Sequence, residues 1–176
     1  TDERLREIEH IHIIGCGSAL HAGMVGKRVI EAMCRIRCTA EVASEFRYEN
    51  PIIGKKDMCI VISQSGETAD TLAAMRLAKQ AGAFTIAREA DGVLYTWAGP
   101  EISVATTKAY SAQLSALYLI SVKIARVRGL ISIGDERALC AELQRLPECI
   151  EQTLKCQSDM QRIATLYANR SSVFFL

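Results

Sequence analysis

Short continuous hydrophobic runs alternate along the chain with stretches whose apolar residues recur at helical spacing. Runs of strand length occupy residues 11–14, 38–42 and 58–62, and a segment of helical character follows each of them. The runs are too short for amphipathic helices, and their β-branched residues favour strands that are covered on both faces. Strands that alternate with helices in this way predict an α/β fold built on a parallel sheet.

The remaining pattern predicts further elements, with one irregular connection. After the helix predicted over residues 68–80, only residues 84–86 have strand character before a charged segment, so a strand is missing or truncated there. A short strand is predicted at residues 93–96. The later predictions are a long helix over 104–128, polar helices over 135–146 and 147–167, with Asp135 and Pro147 at their starts, and a terminal strand at 173–176.

Polar residues follow the third strand in the stretch DMCIVISQSGETADT, residues 57–71. Ser63, Gln64, Ser65 and Thr68 supply side-chain donors, and the helix that begins near Thr68 leaves its first N–H groups without intrahelical partners. No Lys or Arg occurs over residues 57–74. The stretch therefore predicts either a socket in which neutral donors and the helix dipole hold a phosphate, or a capped strand-to-helix turn without a ligand.

A second strand, turn and helix unit contains the sequence GCGS at residues 15–18. Ser18 is a candidate N-cap whose hydroxyl is suited either to the helix or to a ligand. The dinucleotide fingerprint needs a third glycine at the position of Leu20, so NAD binding is disfavoured. The GxxxxGK[ST] phosphate loop of nucleotide hydrolases is absent from the sequence.

Composition and charge narrow the classes of partner. The 176 residues are 49% hydrophobic and 23% charged, which is typical of one globular domain. A net charge of +1, without a long basic run, makes nucleic acid and anionic membranes poor partners and favours a small ligand. The longest apolar run in the long helix, residues 116–120, is far shorter than the roughly 18 residues of a membrane span.

Cysteine and histidine usage predicts no disulfide framework and no metal site. The seven cysteines are odd in number and form no CxxC pair, which indicates a reducing, cytoplasmic location. The three histidines lack a spaced set of Cys or carboxylate partners, so zinc is disfavoured. We also expect no signal peptide, and the absence of an initiator Met suggests a fragment.

The ordered motifs GCGSALHAG, EVASEFRYENP, SQSGETADT and GPEISVATTKAYSAQL resemble those of the sugar isomerase (SIS) domain. Within that family, the chain most resembles the first of the two SIS domains of aminotransferases that make glucosamine 6-phosphate from fructose 6-phosphate. The resemblance implies a three-layer, flavodoxin-like sandwich with a mostly parallel five-stranded sheet, followed by two linker helices. It implies a hexose 6-phosphate at the carboxyl edge of the strands and no cofactor.

The resemblance also implies which residues hold the sugar phosphate. The implied substrate-binding set is Gly17, Ser18, Ala19, Ser63, Gln64, Ser65, Thr68, Val104 and Thr106. Ala19 departs from the family pattern, in which Ser is usual, so a contact there must come from its backbone N–H. About a dozen family residues have no counterpart near residues 83–86, and we expect the natural protein to have a loop there more than a true deletion, since a deletion would remove a strand.

No catalytic residue is expected in this chain. In the family, the catalytic Lys, Glu and His belong to the second SIS domain, and a glutaminase domain precedes the first. The expected organisation is an SIS domain at 1–130, a helical linker at 131–170 and the first strand of a truncated second SIS domain at 171–176. Glu67 and Glu101 are the carboxylates near the site. They are expected to cap or to face solvent more than to act as a general base, because a carboxylate beside a phosphate repels it.

The resemblance therefore favours an enzyme fragment that is inactive alone and that works with a glutaminase domain, a second SIS domain and a second subunit in a homodimer. One alternative is the phosphosugar-sensing SIS module of a transcriptional regulator. Another is a stand-alone deglycase or isomerase of the SIS type.

Overall fold

The computed structural model describes residues 1–63, 69–86, 91–102 and 106–173, and this part of the chain forms four strands and eight helices. The strands are β1 (His10–Gly15), β2 (Arg37–Val42), β3 (Asp57–Val61) and β4 (Phe84–Ile86). The helices are α1 (Asp2–Glu7), α2 (Ser18–Cys34), α3 (Ala43–Phe46), α4 (Ala69–Gln80), α5 (Lys108–Val127), α6 (Ile133–Gln144), α7 (Leu146–Leu154) and α8 (Gln157–Tyr167).

The four strands form one parallel sheet in the order β2-β1-β3-β4. From β1 the chain crosses to β2 on one side and then returns to place β3 on the other side. The sheet therefore has its topological switch point between β1 and β3. In open α/β sheets, ligands bind outside the carboxyl ends of the strands at such a point.

The two faces of the sheet have separate hydrophobic cores. Helices α2 and α5 cover the face that contains Ile11, Ile13 and Ile60, whereas α3 and α4 cover the face that contains Ile14 and Cys59. Strands β1 and β3 lie between two strands each and are buried on both faces, which is why their sequences read as continuous apolar runs.

Glycines in α2 allow its backbone to approach its neighbours. A Cβ atom at Gly23 would lie 2.8 Å from Cγ2 of Ile13, and one at Gly26 would lie 2.8 Å from Cδ1 of Leu117. The absence of a side chain at Gly23 therefore lets α2 pack closely on β1, and its absence at Gly26 lets α2 pack closely on α5. The same two helices are joined where Cys34 Sγ donates to the carbonyl of Ser121, at 3.2 Å.

The predicted strand at residues 93–96 is wrong. In the described residues beyond β4, only an isolated parallel bridge joins Gly92 to Ile86. The carboxylate of Asp91 accepts the N–H of Thr85 at 2.9 Å, so a side chain occupies an edge position of β4 where a strand backbone would pair. Trp97 then has a positive φ of 53°, which is incompatible with a continuing strand.

The C-terminal helices form a separate unit that begins at Arg137 within α6, while the first unit spans Thr1–Glu136. The polar helix predicted over residues 147–167 is divided into α7 and α8. The division lies at Lys155, where the chain forms a tighter turn and the N–H of Lys155 contacts the carbonyls of Gln152 and Thr153. Pro147 lies in the first turn of α7, as predicted. None of the described residues of α6, α7 and α8 is buried.

The start of α6 also differs from the prediction that Asp135 is its N-cap. Ser132 precedes the helix, and its Oγ accepts the N–H of Asp135 at 3.1 Å, while the Asp135 carboxylate accepts the N–H and hydroxyl of Ser132 at 2.9 and 2.7 Å. This reciprocal pair is a capping box in which Ser132 has the capping position and Asp135 the return position.

The α/β class and the parallel sheet with helices on both faces are confirmed, although the described residues contain four strands where five were predicted. No helix in the described ranges is long and apolar enough to cross a membrane. The predicted divisions at 1–130, 131–170 and 171–176 stay predictions, and residues 174–176 of the predicted terminal strand lie outside the described residues.

Candidate functional site

The turn between β1 and α2 lies at the switch point of the sheet. Gly17 adopts φ 56° and ψ −131°, a conformation that other residues resist, and it precedes α2 without a side-chain cap. A Cβ atom at Gly15 would lie 3.1 Å from the backbone of Ala19 and of Leu20, so the helix begins directly against the strand end. The N-terminus of α2, with its partial positive charge, is thus presented at the carboxyl edge.

Ser18 and Thr106 meet at this edge although they are 88 residues apart. Ser18 Oγ donates to Thr106 Oγ1 at 3.1 Å, and both side chains are partly buried. The structure therefore brings together Gly17, Ser18, Ala19 and Thr106, four members of the predicted set. Ala19 is buried, 8% exposed, so only its backbone is suited to contact a ligand.

Ser63 belongs to the neighbouring strand end. The ladder between β1 and β3 continues to Ile62, whose N–H donates to the carbonyl of Ile14 at 2.8 Å, and this bond carries Ser63 to the same edge as the first turn. Gln64, Ser65, Thr68 and Val104, the rest of the predicted set, lie outside the described residues.

Glu101 caps the helix that follows Thr106. Its carboxylate accepts the backbone N–H of Thr107 at 3.2 Å, the hydroxyl of Thr107 at 3.3 Å and the backbone N–H of Ala109 at 3.4 Å. These bonds satisfy donors at the start of α5 and place a negative charge at the positive end of its dipole. The prediction that Glu101 caps is confirmed, and Glu67 lies outside the described residues.

An ion pair that the sequence did not reveal lies near the start of α4. Arg47 Nη1 contacts Asp70 Oδ1 at 3.0 Å, and each side chain is about a third exposed. Asp70 lies in the first turn of α4, so its charge complements the helix dipole while Arg47 neutralises it. The pair fixes the end of α3 to the start of the helix that follows the SQSGET sequence.

Ionisable groups lie across β1 and β2, where His12 is buried and His10 and Glu41 are half-buried. His12 Nδ1 lies 3.0 Å from Glu41 Oε1 and 3.1 Å from Thr39 Oγ1, and the hydroxyl of Thr39 also donates to Glu41. Burial opposes ionisation of Glu41, yet the hydrogen bonds from His12 and Thr39 outweigh it and lower the pKa of its carboxyl. Burial and the neighbouring His12 lower the pKa of His10, whose ring centroid lies 4.1 Å from that of His12.

Three of the seven cysteines, Cys34, Cys38 and Cys59, are buried. All seven thiols are free, and burial raises the pKa of Cys34 to about 11 and the pKa values of Cys38 and Cys59 to about 12. These thiols stay protonated near neutral pH and are poor nucleophiles. Over the ranges that the structure describes, no three His, Cys, Asp or Glu side chains are grouped to hold a metal ion.

A cavity of about 380 Å³ opens beside the switch-point edge. It lies between the ends of β3 and β4, the helices α4 and α5, and the segment of residues 93–99 that lacks strand structure. Among the members of the predicted binding set that the structure describes, Ser63 lines it.

A doubly wound parallel sheet with an uncapped helix N-terminus and converging hydroxyls at its switch point defines an α/β domain of the kind that holds a ligand at the carboxyl ends of its strands. The family model described as SIS domain matches residues 4–123, and the chain belongs to this family.

Relatives of known sequence and structure agree with that assignment. The chain is 48% identical to the glutamine–fructose-6-phosphate aminotransferase (isomerizing) of Caldanaerobacter subterraneus subsp. tengcongensis over 186 aligned positions, which cover 100% of this chain and 31% of that protein. The C-terminal domain of glucosamine-fructose-6-phosphate aminotransferase from Francisella tularensis has a TM-score of 0.90 and 31% identity, with 96% of this chain and 50% of that chain covered.

A glucosamine-6-phosphate deaminase from Thermotoga maritima shares the fold, with a TM-score of 0.67 and 23% identity over 87% of this chain and 49% of that chain.

The chain spans less than a third of the length of the Caldanaerobacter relative. Since the 186 aligned positions exceed the chain's 176 residues, that relative has at least ten residues without a counterpart here. The expectation that they belong near residues 83–86 stays a prediction.

Proposed function

We propose that the edge between β1 and β3 binds a hexose 6-phosphate, fructose 6-phosphate or glucosamine 6-phosphate. The observation that carries the proposal is the contact of Ser18 with Thr106 at the uncapped N-terminus of α2, next to Ser63. Neutral hydroxyls and a helix dipole are suited to a phosphate group, and the carboxylate of Glu101 is engaged by the start of α5.

The chain functions, in this proposal, as the first sugar-phosphate-binding part of a glutamine–fructose-6-phosphate aminotransferase, in the synthesis of amino sugars. The support is its 48% identity, along its whole length, to a relative of that name. It contributes to the reaction by positioning the substrate, because a phosphate that is held in place orients the sugar for the chemical steps that other domains carry out. No observation favours a transcriptional regulator or a stand-alone deglycase over this function.

Titration calorimetry with glucosamine 6-phosphate tests the binding site. The double variant Ser65→Ala and Thr68→Ala removes two hydroxyls of the proposed phosphate loop, and we expect affinity to fall at least about tenfold, since hydrogen bonds to charged groups contribute about 1.5–3 kcal/mol each. Ser158→Ala, at an exposed position of α8, is the matched control. Unchanged affinity in the double variant would show that the phosphate is held elsewhere.

The same proposal predicts that this chain alone does not form glucosamine 6-phosphate. Incubation with fructose 6-phosphate and either glutamine or ammonia should yield no amino sugar, whereas the chain joined to the remaining domains of such an aminotransferase should. Product formation by the chain alone would contradict the assignment of catalysis to other domains. We further propose a homodimer in the cytoplasm, and light scattering that gives a monomer at high concentration would contradict the dimer.

A further inference from the structure

Arg47 reaches the start of α4 from a different part of the chain. β2 ends at Val42, which pairs with Gly15 at the end of β1, so α3 begins at the same edge of the sheet as the first turn. Phe46 of α3 is fully buried in the core that α4 also covers, which anchors the end of α3 against α4. The guanidinium of the next residue, Arg47, donates from Nη1 to Oδ1 of Asp70 in the first turn of α4, at 3.0 Å.

The guanidinium of Arg47 has a second contact that limits its freedom. Its Cζ atom lies 4.7 Å from the centroid of the Tyr48 ring, which covers one face of the group. The backbone at this point is also fixed, since the N–H groups of Tyr48 and Glu49 donate to the carbonyl of Glu45 at 2.8 and 3.1 Å. The packing of α3 and two side-chain contacts therefore set the position of this positive charge.

Asp70 adds a negative charge at the start of α4, two residues beyond Thr68 of the proposed phosphate loop. A carboxylate and a phosphate are both attracted to the positive end of a helix dipole, and they repel each other. No Lys or Arg occurs over residues 57–74, so the sequence around the loop contains no cation to offset that repulsion. The fold supplies one, because it brings Arg47 to Asp70.

We propose that Arg47 is a further determinant of sugar-phosphate binding, because it neutralises Asp70 and so lets the start of α4 accept a dianion. This inference rests on the proposed function. Arg47 acts through Asp70 and not by contact with reacting atoms, so it is a positioning residue. An ion pair whose side chains are about a third exposed contributes little to stability, so ligand affinity is the property that should respond.

Fructose 6-phosphate is the probe for this inference, because its phosphate is its only charged group and carries close to two negative charges at neutral pH. Arg47→Met removes the charge and keeps the length of the side chain. We expect calorimetry to show a loss of affinity of about threefold to tenfold, since the repulsion by Asp70 is no longer offset. This loss should shrink as salt rises from about 0.05 M to about 0.5 M, because salt screens exposed charges.

The partner variant should have the opposite sign. Asp70→Asn removes the repelling charge, so it should leave the affinity for fructose 6-phosphate unchanged or raise it. The double variant, Arg47→Met with Asp70→Asn, should bind more tightly than Arg47→Met alone. A purely structural ion pair would not give this pattern, because its loss from either side would weaken binding.

Two further variants serve as controls. Arg47→Lys keeps the positive charge and should retain most of the affinity. Arg126→Met breaks a matched ion pair with Glu136, whose atoms are 3.3 Å apart and whose side chains are also about a third exposed. Arg126 lies in the last turn of α5, at the opposite end of that helix from Thr106, so its loss should not alter binding.

Two results would overturn the inference alone, with fructose 6-phosphate still bound by the unchanged protein. Unchanged affinity in Arg47→Met would show that Asp70 does not repel the ligand. Weaker binding in Asp70→Asn would show that the pair only holds the structure, and this result decides the matter even if Arg47→Met does not fold. Absence of binding by the unchanged protein would contradict the proposed function, and the inference with it.

Discussion

The carboxylate of Asp91 accepts both the backbone N–H and the hydroxyl of Thr85, each at 2.9 Å. Thr85 is fully buried in β4, the edge strand of the described sheet. Next to it, the N–H of Gly92 donates to the carbonyl of Thr85 at 3.2 Å. A charged side chain therefore occupies part of the open edge of β4, which protects an edge strand against pairing with other chains.

Replacement of Asp91 by Asn tests this role. The backbone N–H of Thr85 is the largest cause that lowers the pKa of the Asp91 carboxyl, with its hydroxyl as a further cause. A lowered pKa means that Asp91 stabilises the folded state above its unfolded pKa, and that this stability is lost as pH falls through the folded pKa. We expect Asp91→Asn to reduce the free energy of unfolding at neutral pH by about 1 kcal/mol, a modest value because Asp91 is exposed.

Chemical denaturation of Asp91→Asn at neutral and acidic pH measures this effect. The variant should lose less stability on acidification than the unchanged protein. Asp159→Asn, on exposed helix α8, is the control for the loss of one surface carboxylate. An equal loss of stability on acidification in both variants would contradict the role of the Thr85 contact.

His10 gives a separate dependence of stability on pH. Burial and the neighbouring His12 lower its pKa from the ordinary value of 6.5. Between the folded pKa and 6.5 the unfolded state binds more protons, so the free energy of unfolding falls as pH drops through that interval. His10→Gln should therefore flatten the stability profile as pH falls from the ordinary value of 6.5 towards the lowered pKa of the folded state.

Denaturant titrations at a series of pH values check this prediction, with His21→Gln as the control because His21 is exposed on α2. Glu41 also has a lowered pKa, so its contribution is lost at lower pH, below its ordinary value of 4.5. On acidification, the effect of His10 therefore begins at a higher pH than that of Glu41. If His10→Gln and His21→Gln flatten the profile equally, burial of His10 is not the cause.

The sequence predicted the strands of the sheet well because a short, continuous apolar run in a domain of this composition usually forms a strand that is covered on both faces. It did not predict the pairing of His12 with Glu41, or of Arg47 with Asp70. Those pairs are 29 and 23 residues apart, and the order of the strands and the packing of α3 on α4 bring them together. The local sequence pattern carries no information on which distant residues the strand order and the helix packing bring together.

At residues 93–96 the local pattern predicted a strand that the structure does not form. Residues 93–96 have strand propensity, but propensity does not include the Asp91 side chain that occupies the edge of β4. For the site, the resemblance to the SIS family named residues at the switch point, and the structure brings Ser18 to Thr106. The burial of Gln113 was not predicted, because nothing in its local sequence marks a helix glutamine as buried.

Gly26→Ala tests the close packing of α2 against α5. The new Cβ would lie 2.8 Å from Cδ1 of Leu117 and 3.2 Å from its Cδ2 and Cγ, so the whole buried side chain must move. We expect a cost of about 1–3 kcal/mol for overpacking, offset in part by about 1 kcal/mol from the helix propensity of Ala. Thermal and chemical denaturation measure the net loss.

Gly134→Ala is the matched control for that variant. Gly134 lies in α6, where a Cβ would come within 3.4 Å only of Ser132 Oγ, so the substitution should be neutral or stabilising. Adding Leu117→Val to Gly26→Ala should recover part of the lost stability by making room for the new methyl group. Equal effects of Gly26→Ala and Gly134→Ala would mean that α2 and α5 adjust without cost.

The last prediction concerns the contact between Ser18 and Thr106. Because Ser18 Oγ and Thr106 Oγ1 lie 3.1 Å apart and share one hydrogen bond, one hydroxyl hydrogen of the pair is left for another acceptor. In the proposed function that acceptor is an oxygen of the sugar phosphate. Ser18→Ala and Thr106→Val should each weaken glucosamine 6-phosphate about threefold to tenfold, as the loss of one hydrogen bond predicts. The double variant should bind only slightly more weakly than either single variant, because both substitutions break one shared network. Calorimetry on the four proteins completes the cycle, and strictly additive losses would show that the two hydroxyls contact the ligand independently of each other.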